Sequence, residues 1–321
     1  MFFKDCWLTK CMRYSRLEKA LGNTDALRTK IVSIVGLGAL GTHAASLLAR
    51  NGIHLKLFDP DIIEESNLSS QALYTESDLN KLKAIQASEH LISANSNISI
   101  SAFPLEVNTD NVELINADVV LDCTDNFATR FLLNDFCKKN NIPLVHGAAI
   151  KQKGSLFVVK DVCLRCIYPE LGKLETCSTA GMTNMTSSVI ASLQVQQAMN
   201  ILLDLPVQKD FLRVNLATNE FLFLKVGKNN ECPVCTGKQV ENMEILIKRC
   251  KERGGWSIKS EKKVVNLESI RQKFSVTIDT PLVVVIKVNG HEVIVHGHGE
   301  LIVKDDLPMQ QLEDIGRKVF S

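Results

Sequence analysis

The 321-residue sequence predicts an α/β chain, a doubly wound and mostly parallel sheet followed by a small α+β domain. Three observations lead there. A glycine-rich turn joins a β-branched run to a helical pattern within residues 31–50. Strand-like and helix-like segments then alternate as far as about residue 203. Beyond Cys235 the pattern changes, and residues 254–321 read as strand, helix, three strands and a last helix.

The first unit is the most explicit. Ile31 to Val35 form a strand, Gly36, Gly38 and Gly41 form the turn, and Leu40, Ala44, Leu47 and Leu48 recur at helical spacing up to Asn51-Gly52. The first glycine permits the turn, the second lets backbone N–H groups approach a phosphate, and the third lets helix and strand pack closely. A second strand, Leu55 to Phe58, ends in Asp59, where an acid can hold ribose hydroxyls. This Rossmann-like fingerprint marks a nucleotide, and ribose and phosphate are common to NAD, FAD, ATP and S-adenosylmethionine.

The alternation continues with a helix near Leu79 to Ile92, a strand near Ile98 to Phe103, a short helix near Asn111 to Ile115 and the buried strand "ADVVLDC". A helix from Phe127 to Lys139 leads to the strands "IPLVHG" and "GSLFVVK". A long helix, Ser187 to Leu203, precedes two antiparallel strands, Leu212 to Ala217 and Glu220 to Val226, that would close the sheet. The expected boundaries are 1–238 for the nucleotide-binding domain and 239–321 for the small one, whose strands turn at Asn289-Gly290 and His298-Gly299.

Composition narrows the function. With 37 basic and 36 acidic residues, the chain lacks the charge for an extensive nucleic-acid or anionic-membrane surface. The start, "MFFKDCWLTKC", lacks a signal-peptide pattern, and the longest apolar segment, Ile31 to Ala49, is interrupted by glycines and His43. A cytoplasmic location is the default expectation. Ten cysteines then suggest metal or chemistry before a disulfide framework.

Four of them fall into two CxxC pairs, Cys163 with Cys166 and Cys232 with Cys235. One pair would suit redox chemistry equally well. Two pairs favour a tetrahedral zinc with no open position, hence a structural one. In "VLDCTDN" a buried strand ends in Asp122 and Asp125, at the sheet edge where α/β proteins place ligands. Turn chemistry explains such residues in general. An acid facing a nucleotide phosphate there also suits magnesium, which serves ATP more than NAD.

The segments "RYSR", "GLGALG", "DPDIIEESNLSSQ", the lysine of "LNKLKA", "DCTDNFATR", "PLVHGAAI", "CLRC" and "CPVC" resemble, in order, those of the MoeB/ThiF family, which is related to ubiquitin-activating enzymes. The resemblance covers residues 13 to about 236. It implies an ATP-dependent adenylyltransferase, in which the C-terminal glycine carboxylate of a small ubiquitin-like or sulfur-carrier protein attacks the α-phosphate and pyrophosphate leaves. It further implies Lys83 as a catalytic cation, Asp125 as the magnesium-binding acid, Asp59 as the ribose acid and Asn67 as a nucleotide contact. Arg16 matches an arginine that reaches across a homodimer into the partner's site. By residue type alone, Lys83, Arg13 and Arg16 would be solvated helix charges.

One position departs from the pattern. The family usually reads Asn-Leu-x-Arg-Gln, and this chain has Ser70 in place of the arginine. A triphosphate contact is missing, so another cation substitutes, ATP binds more weakly, or the acceptor differs. Cys177 aligns with a cysteine that in some relatives forms a thioester or persulfide link to the carrier and that other relatives lack. Adenylation itself needs no thiol, so an obligatory adduct is not expected. Cys6, Cys11, Cys123, Cys137 and Cys250 read as small hydrophobes, and His291, His296 and His298 as a hairpin surface.

Three other readings remain. Activation of a carboxylate on modified tRNA fits the superfamily, although near-neutral charge weighs against it. An NAD-dependent oxidoreductase explains the glycines but neither "DCTDN" nor the cysteine pairs. A binding module without catalysis has only Ser70 in its favour.

Overall fold

The computed structural model describes residues 12–168, 181–236, 245–249, 255–260 and 265–320. The chain divides into two compact units, 1–239 and 240–321. In the first, helix α1 (Ser15–Leu21) precedes strand β1 (Ile31–Val35), helix α2 (Ala39–Arg50), β2 (His54–Phe58), α3 (Lys83–Ala94), β3 (Ile100–Phe103) and β4 (Val119–Asp122). Then follow α4 (Phe127–Lys139), β5 (Leu144–Ile150), β6 (Lys153–Val159), α5 (Asn184–Leu202), β7 (Phe211–Asn215) and β8 (Glu220–Leu224).

The eight strands form one sheet in the order β3-β2-β1-β4-β5-β6-β7-β8. The first five are parallel and the last three antiparallel. Parallel strands are buried on both faces, which explains the unbroken apolar runs of β1 and β4. Val32, Ile34, Leu121 and Val145 turn to a core with α2 and α5, while Val35, Val120 and Leu144 join α4 and Cys163 on the other face. The sheet changes direction at a tight β5–β6 turn, where Lys151 takes φ of 52°.

The glycine turn meets its steric demands. Gly36 has φ of 91°, and a Cβ there would lie 2.8 Å from the Cys123 carbonyl oxygen. A Cβ on Gly41 would lie 1.9 Å from the Gly36 oxygen, so α2 packs against β1 only without a side chain there.

The second unit holds β9 (Ile245–Arg249), β10 (Trp256–Ser260), helix α6 (Leu267–Lys273), β11 (Val276–Asp279), β12 (Val283–Val288), β13 (His291–His296), β14 (Glu300–Val303) and helix α7 (Met309–Phe320). Its antiparallel sheet has the order β11-β12-β13-β14-β10-β9. The outer strands β9 and β11 go beyond the sequence expectation. β11 is short and bulged with Pro281 just after it, yet Phe274 to Asp279 alternate apolar and polar, a strand signal that the expected order of elements omits. Ile258, Ile286, Val293, Leu301, Leu312 and Ile315 form this unit's own core.

The helix expected from Leu79 begins instead at Lys83. Asn80 has φ of 64°, its N–H donates to the Ile63 carbonyl, and Leu82 bridges Ile62 in extended conformation. Pairing with the chain after β2 therefore replaces the first helical turn. Among the described residues no helix is long and apolar enough to cross a membrane.

Candidate active site

A cavity of about 740 Å³ lies at the carboxyl ends of β1, β2 and β4. Open α/β sheets place ligands there because the loops diverge where the strand order changes direction. Gly36, Gly38, Asp59, Asn67, Lys83 and Asp125 all line it, as does Ser70. Gly41, grouped in sequence with the cofactor-binding glycines, is not among the lining residues, and its place in the fold is the helix–strand contact.

Asp59 is buried at the end of β2. One carboxylate oxygen accepts the Leu37 N–H at 2.6 Å, and the other accepts the Asp61 N–H at 2.9 Å. Burial pushes its pKa up, opposed by the nearby Lys83 charge and these two N–H groups. The acid thus fixes the glycine turn itself, and lone pairs on its oxygens are left for hydroxyl donors.

Lys83 is only 6% exposed, unlike an ordinary helix lysine. It occupies the first position of α3, its N–H donates to the Asp61 carbonyl at 2.9 Å, and its Nζ lies 3.0 Å from Asp61 Oδ2. The extended segment before α3 aims the side chain into the cavity. Asp61 is exposed and was given no role from sequence, although the i, i+2 spacing of "DPD" places it beside Asp59 at the same strand end.

The end of β4 carries a buried polar cluster. Asp122 Oδ1 accepts the Thr124 N–H at 3.0 Å and its hydroxyl at 2.7 Å, while Oδ2 pairs with His146 Nδ1 at 2.7 Å. His146 is fully buried on β5. Burial holds its pKa down, so the ring is neutral, and Nδ1–H donates to the carboxylate. Burial alone would raise the pKa of Asp122, but the bonds to His146 and Thr124 and the Arg130 charge outweigh it and hold it below the usual range. Gln194 on α5 donates to the Asp122 and Val145 carbonyls at 2.9 and 3.1 Å, and any Cβ on Gly147 would strike it. Of the two acids in "DCTDN", then, Asp122 is structural, while Asp125 is exposed at the cavity wall. Asn126 caps α4 by accepting the Thr129 N–H at 2.8 Å.

Arg130 and His146 are the other residues for which sequence reading supplied no role. A single histidine in the apolar strand "PLVHG" is a faint signal, because burial and pairing with Asp122 exist only after β4 and β5 align.

The four CxxC thiols converge. All lie within 4.8 Å of one another, with Sγ–Sγ separations of 3.8 Å for Cys163–Cys166, 3.5 Å for Cys163–Cys232 and 3.6 Å for Cys166–Cys235. Zn–S bonds of about 2.3 Å in a tetrahedron place sulfurs about 3.8 Å apart, so the set fits zinc. Among the described residues no other group of His, Cys, Asp or Glu meets this standard. On the hairpin, His291 pairs with Asp305 and His298 with Glu300, as expected of surface histidines.

Asn67 Oδ1 accepts the Glu64 N–H at 3.2 Å, stiffening the loop that also presents Ser70. Arg16 is exposed on α1 and does not line the cavity of its own chain. Cys177, Cys6, Cys11 and Cys250 lie outside the described residues.

The ThiF family matches residues 14–234. The SAMP-activating enzyme E1 of Haloferax volcanii is 34% identical over 252 residues, covering 74% of this chain and 93% of that protein. The sulfur carrier protein ThiS adenylyltransferase of Escherichia coli is 33% identical over 243 residues, covering 72% and 97%. In fold, the chain is similar to E. coli MccB in its crystal structure with MccA-N7isoASN, with a TM-score of 0.64, 23% identity and coverage of 71% and 75%.

Two outcomes follow from this geometry. Metal analysis should find one zinc per chain in the wild type and a marked loss in Cys166→Ser. The second concerns acid. His146 is held neutral when folded but ionises near 6.5 when unfolded, and Asp122 is likewise depressed from 3.8. Both contribute stability that is present above the unfolded pKa and lost as pH falls. Melting temperature should therefore drop from about pH 7 to about pH 5, and His146→Gln should flatten that slope relative to wild type. The difference between the two proteins cancels any acid effect they share.

Proposed function

The chain belongs to the ThiF family and is an adenylyltransferase of the ThiF/MoeB type, and from that premise we propose that it adenylates the C-terminal carboxylate of a small ubiquitin-like or sulfur-carrier protein. The observation that carries this reading is that Asp59, Lys83 and Asp125 line one cavity. A carboxylate oxygen forms a bond to the α-phosphorus of ATP, the bond to the bridging oxygen breaks, and its electron pair leaves with pyrophosphate. Such a step is catalysed by positioning and by cations that meet the charge as it moves.

In this scheme Asp59 takes the ribose hydroxyls, Asn67 contacts the nucleotide, and Gly36 and Gly38 let backbone N–H groups approach it. Lys83 leaves Asp61 for the phosphates. Asp125 offers its carboxylate to magnesium, which would supply neutralising charge to the triphosphate. The lining residues include five acids, Asp59, Asp61, Glu64, Glu106 and Asp125, against two bases, Lys83 and Arg130. A tetra-anionic substrate needs more positive charge than that, which supports both a magnesium ion and Arg16 entering from a second protomer.

Calorimetry should detect ATP–Mg binding without comparable binding of NAD, and Lys83→Ala should cut carrier-dependent pyrophosphate release by roughly a hundredfold or more, the scale set by losing one charged transition-state contact. Tight NAD binding with no ATP signal would overturn the reading in favour of an oxidoreductase. Mixing Arg16→Ala with Asp125→Ala protein should restore part of the activity through hybrid dimers with one intact site. Freely exchanging subunits with no recovery would show that Arg16 does not act in trans.

A further inference from the structure

Arg130 is a buried cation with a single hydrogen bond among the described residues. It sits on the first turns of α4, is 8% exposed and lines the cavity. Its Nη2 donates to the Thr124 carbonyl at 2.5 Å. Its Nε lies 3.9 Å from Asp122 Oδ2, beyond hydrogen-bond range, and has no partner among the described residues. Asp122 is already occupied by Thr124 and His146. A guanidinium carries five N–H donors, and buried donors are normally satisfied. Among the described residues Arg130 makes one hydrogen bond, and the ring of Phe127 lies 5.0 Å from its Cζ. Such a group is prepared for an anion that arrives from outside the chain.

Resting on the adenylation reading, we propose that Arg130 receives the carboxylate that is to be adenylated. Strand order gives the reason. Asp59 and Lys83 stand at the β2 side of the cavity, the glycine turn at β1, and Asp125 and Arg130 at β4, beside Gly147 to Ala149 of β5. Neighbouring strands are about 4.8 Å apart, so the ends of β2 and β4 stand about two strand spacings apart. In-line displacement places the attacking and leaving oxygens on opposite sides of phosphorus. Lys83 at one side suits the phosphates, and Arg130 at the other suits the attacking group.

The strand register ties that side of the cavity to the edge of the sheet. Cross-strand pairing runs from Ala149 through Gly154 and Val214 to Phe221, and from Gly147 through Leu156 and Leu212 to Phe223. Phe221, Leu222 and Phe223 on the edge strand β8 are each about half exposed, at 48%, 52% and 51%. A globular acceptor resting on this apolar edge would need about four or five extended residues to span the three strand spacings to the cavity. A planar carboxylate matches a guanidinium fork, and the burial of Arg130 strengthens the pairing.

The test uses the full-length protein, a non-hydrolysable ATP analogue and the sulfur-carrier protein ThiS, prepared with a free C-terminal carboxylate and as its C-terminal carboxamide. The wild type should bind the acid roughly ten- to a hundredfold more tightly than the amide, the range for a charge-assisted hydrogen bond. Arg130→Gln should erase that preference, and Arg130→Lys should keep part of it. Affinity for the ATP analogue should change less than about twofold in either variant, since the proposal removes no nucleotide contact. Equal binding of acid and amide by the wild type, or a preference that survives Arg130→Gln, overturns the proposal. A loss of analogue affinity in both variants also overturns it and assigns Arg130 to the phosphates. Failure of the wild type to bind the analogue, with the acid preference intact, would count against the adenylation reading and leave the carboxylate site standing.

Discussion

Two backbone N–H groups hold the buried Asp59 carboxylate at the end of β2, and the cavity is built outward from that acid. The Leu37 N–H comes from inside the glycine turn, so the acid at the end of β2 also sets that turn. The Asp61 N–H comes from the next bend, whose carbonyl and carboxylate both hold Lys83. Hydrogen bonds to a charged group contribute about 1.5–3 kcal/mol each, which offsets part of the cost of burying the charge. Strand, turn and lysine are thereby one mechanical unit.

A second polar node stands one strand beyond the glycine turn. Asp122 is held by Thr124 and His146 and its carbonyl by Gln194, and these bonds fix the loop that carries Asp125 and leads into α4 with Arg130. The contrast between neighbours is informative. Asp122 has given its lone pairs to structure, whereas Asp125, three residues on, keeps its carboxylate at the cavity wall. Arg130 is buried like Asp122, and its Nε has no hydrogen-bond partner among the described residues. The cysteine cluster works at greater range, bringing residues 232–235 to 163–166 after the sheet has been completed.

Much of this was legible in the sequence. Glycine spacing, β-branched runs and apolar helical stripes are local signals, and they placed α2, α4, β1 and β2 nearly to the residue and β3, β4 and β5 within two or three residues at each end. The paired CxxC motifs announced four thiols that would meet. Gly36, Gly38, Asp59, Asn67, Lys83 and Asp125 could be picked by position in an ordered set of motifs. The edge strands β9 and β11 were absent from the expected order although Ile245 to Ile247 and the alternating Phe274 to Asp279 are strand-like, since runs this short are hard to separate from loop by pattern alone.

The sequence by itself determined the order of elements, the need for side-chain-free positions in the turn, and which residue types stand at the strand ends, since each depends only on neighbours along the chain. Tertiary structure alone decided burial and partnership. Lys83 became a cavity lysine because residues 79–82 pair with residues 62–63 and never enter the helix. His146 became a buried partner because β5 aligns it with Asp122, and Arg130 was left with open donors because that same partner had already been taken. Such competition for lone pairs arises between segments distant in sequence, and no local pattern records which of them wins.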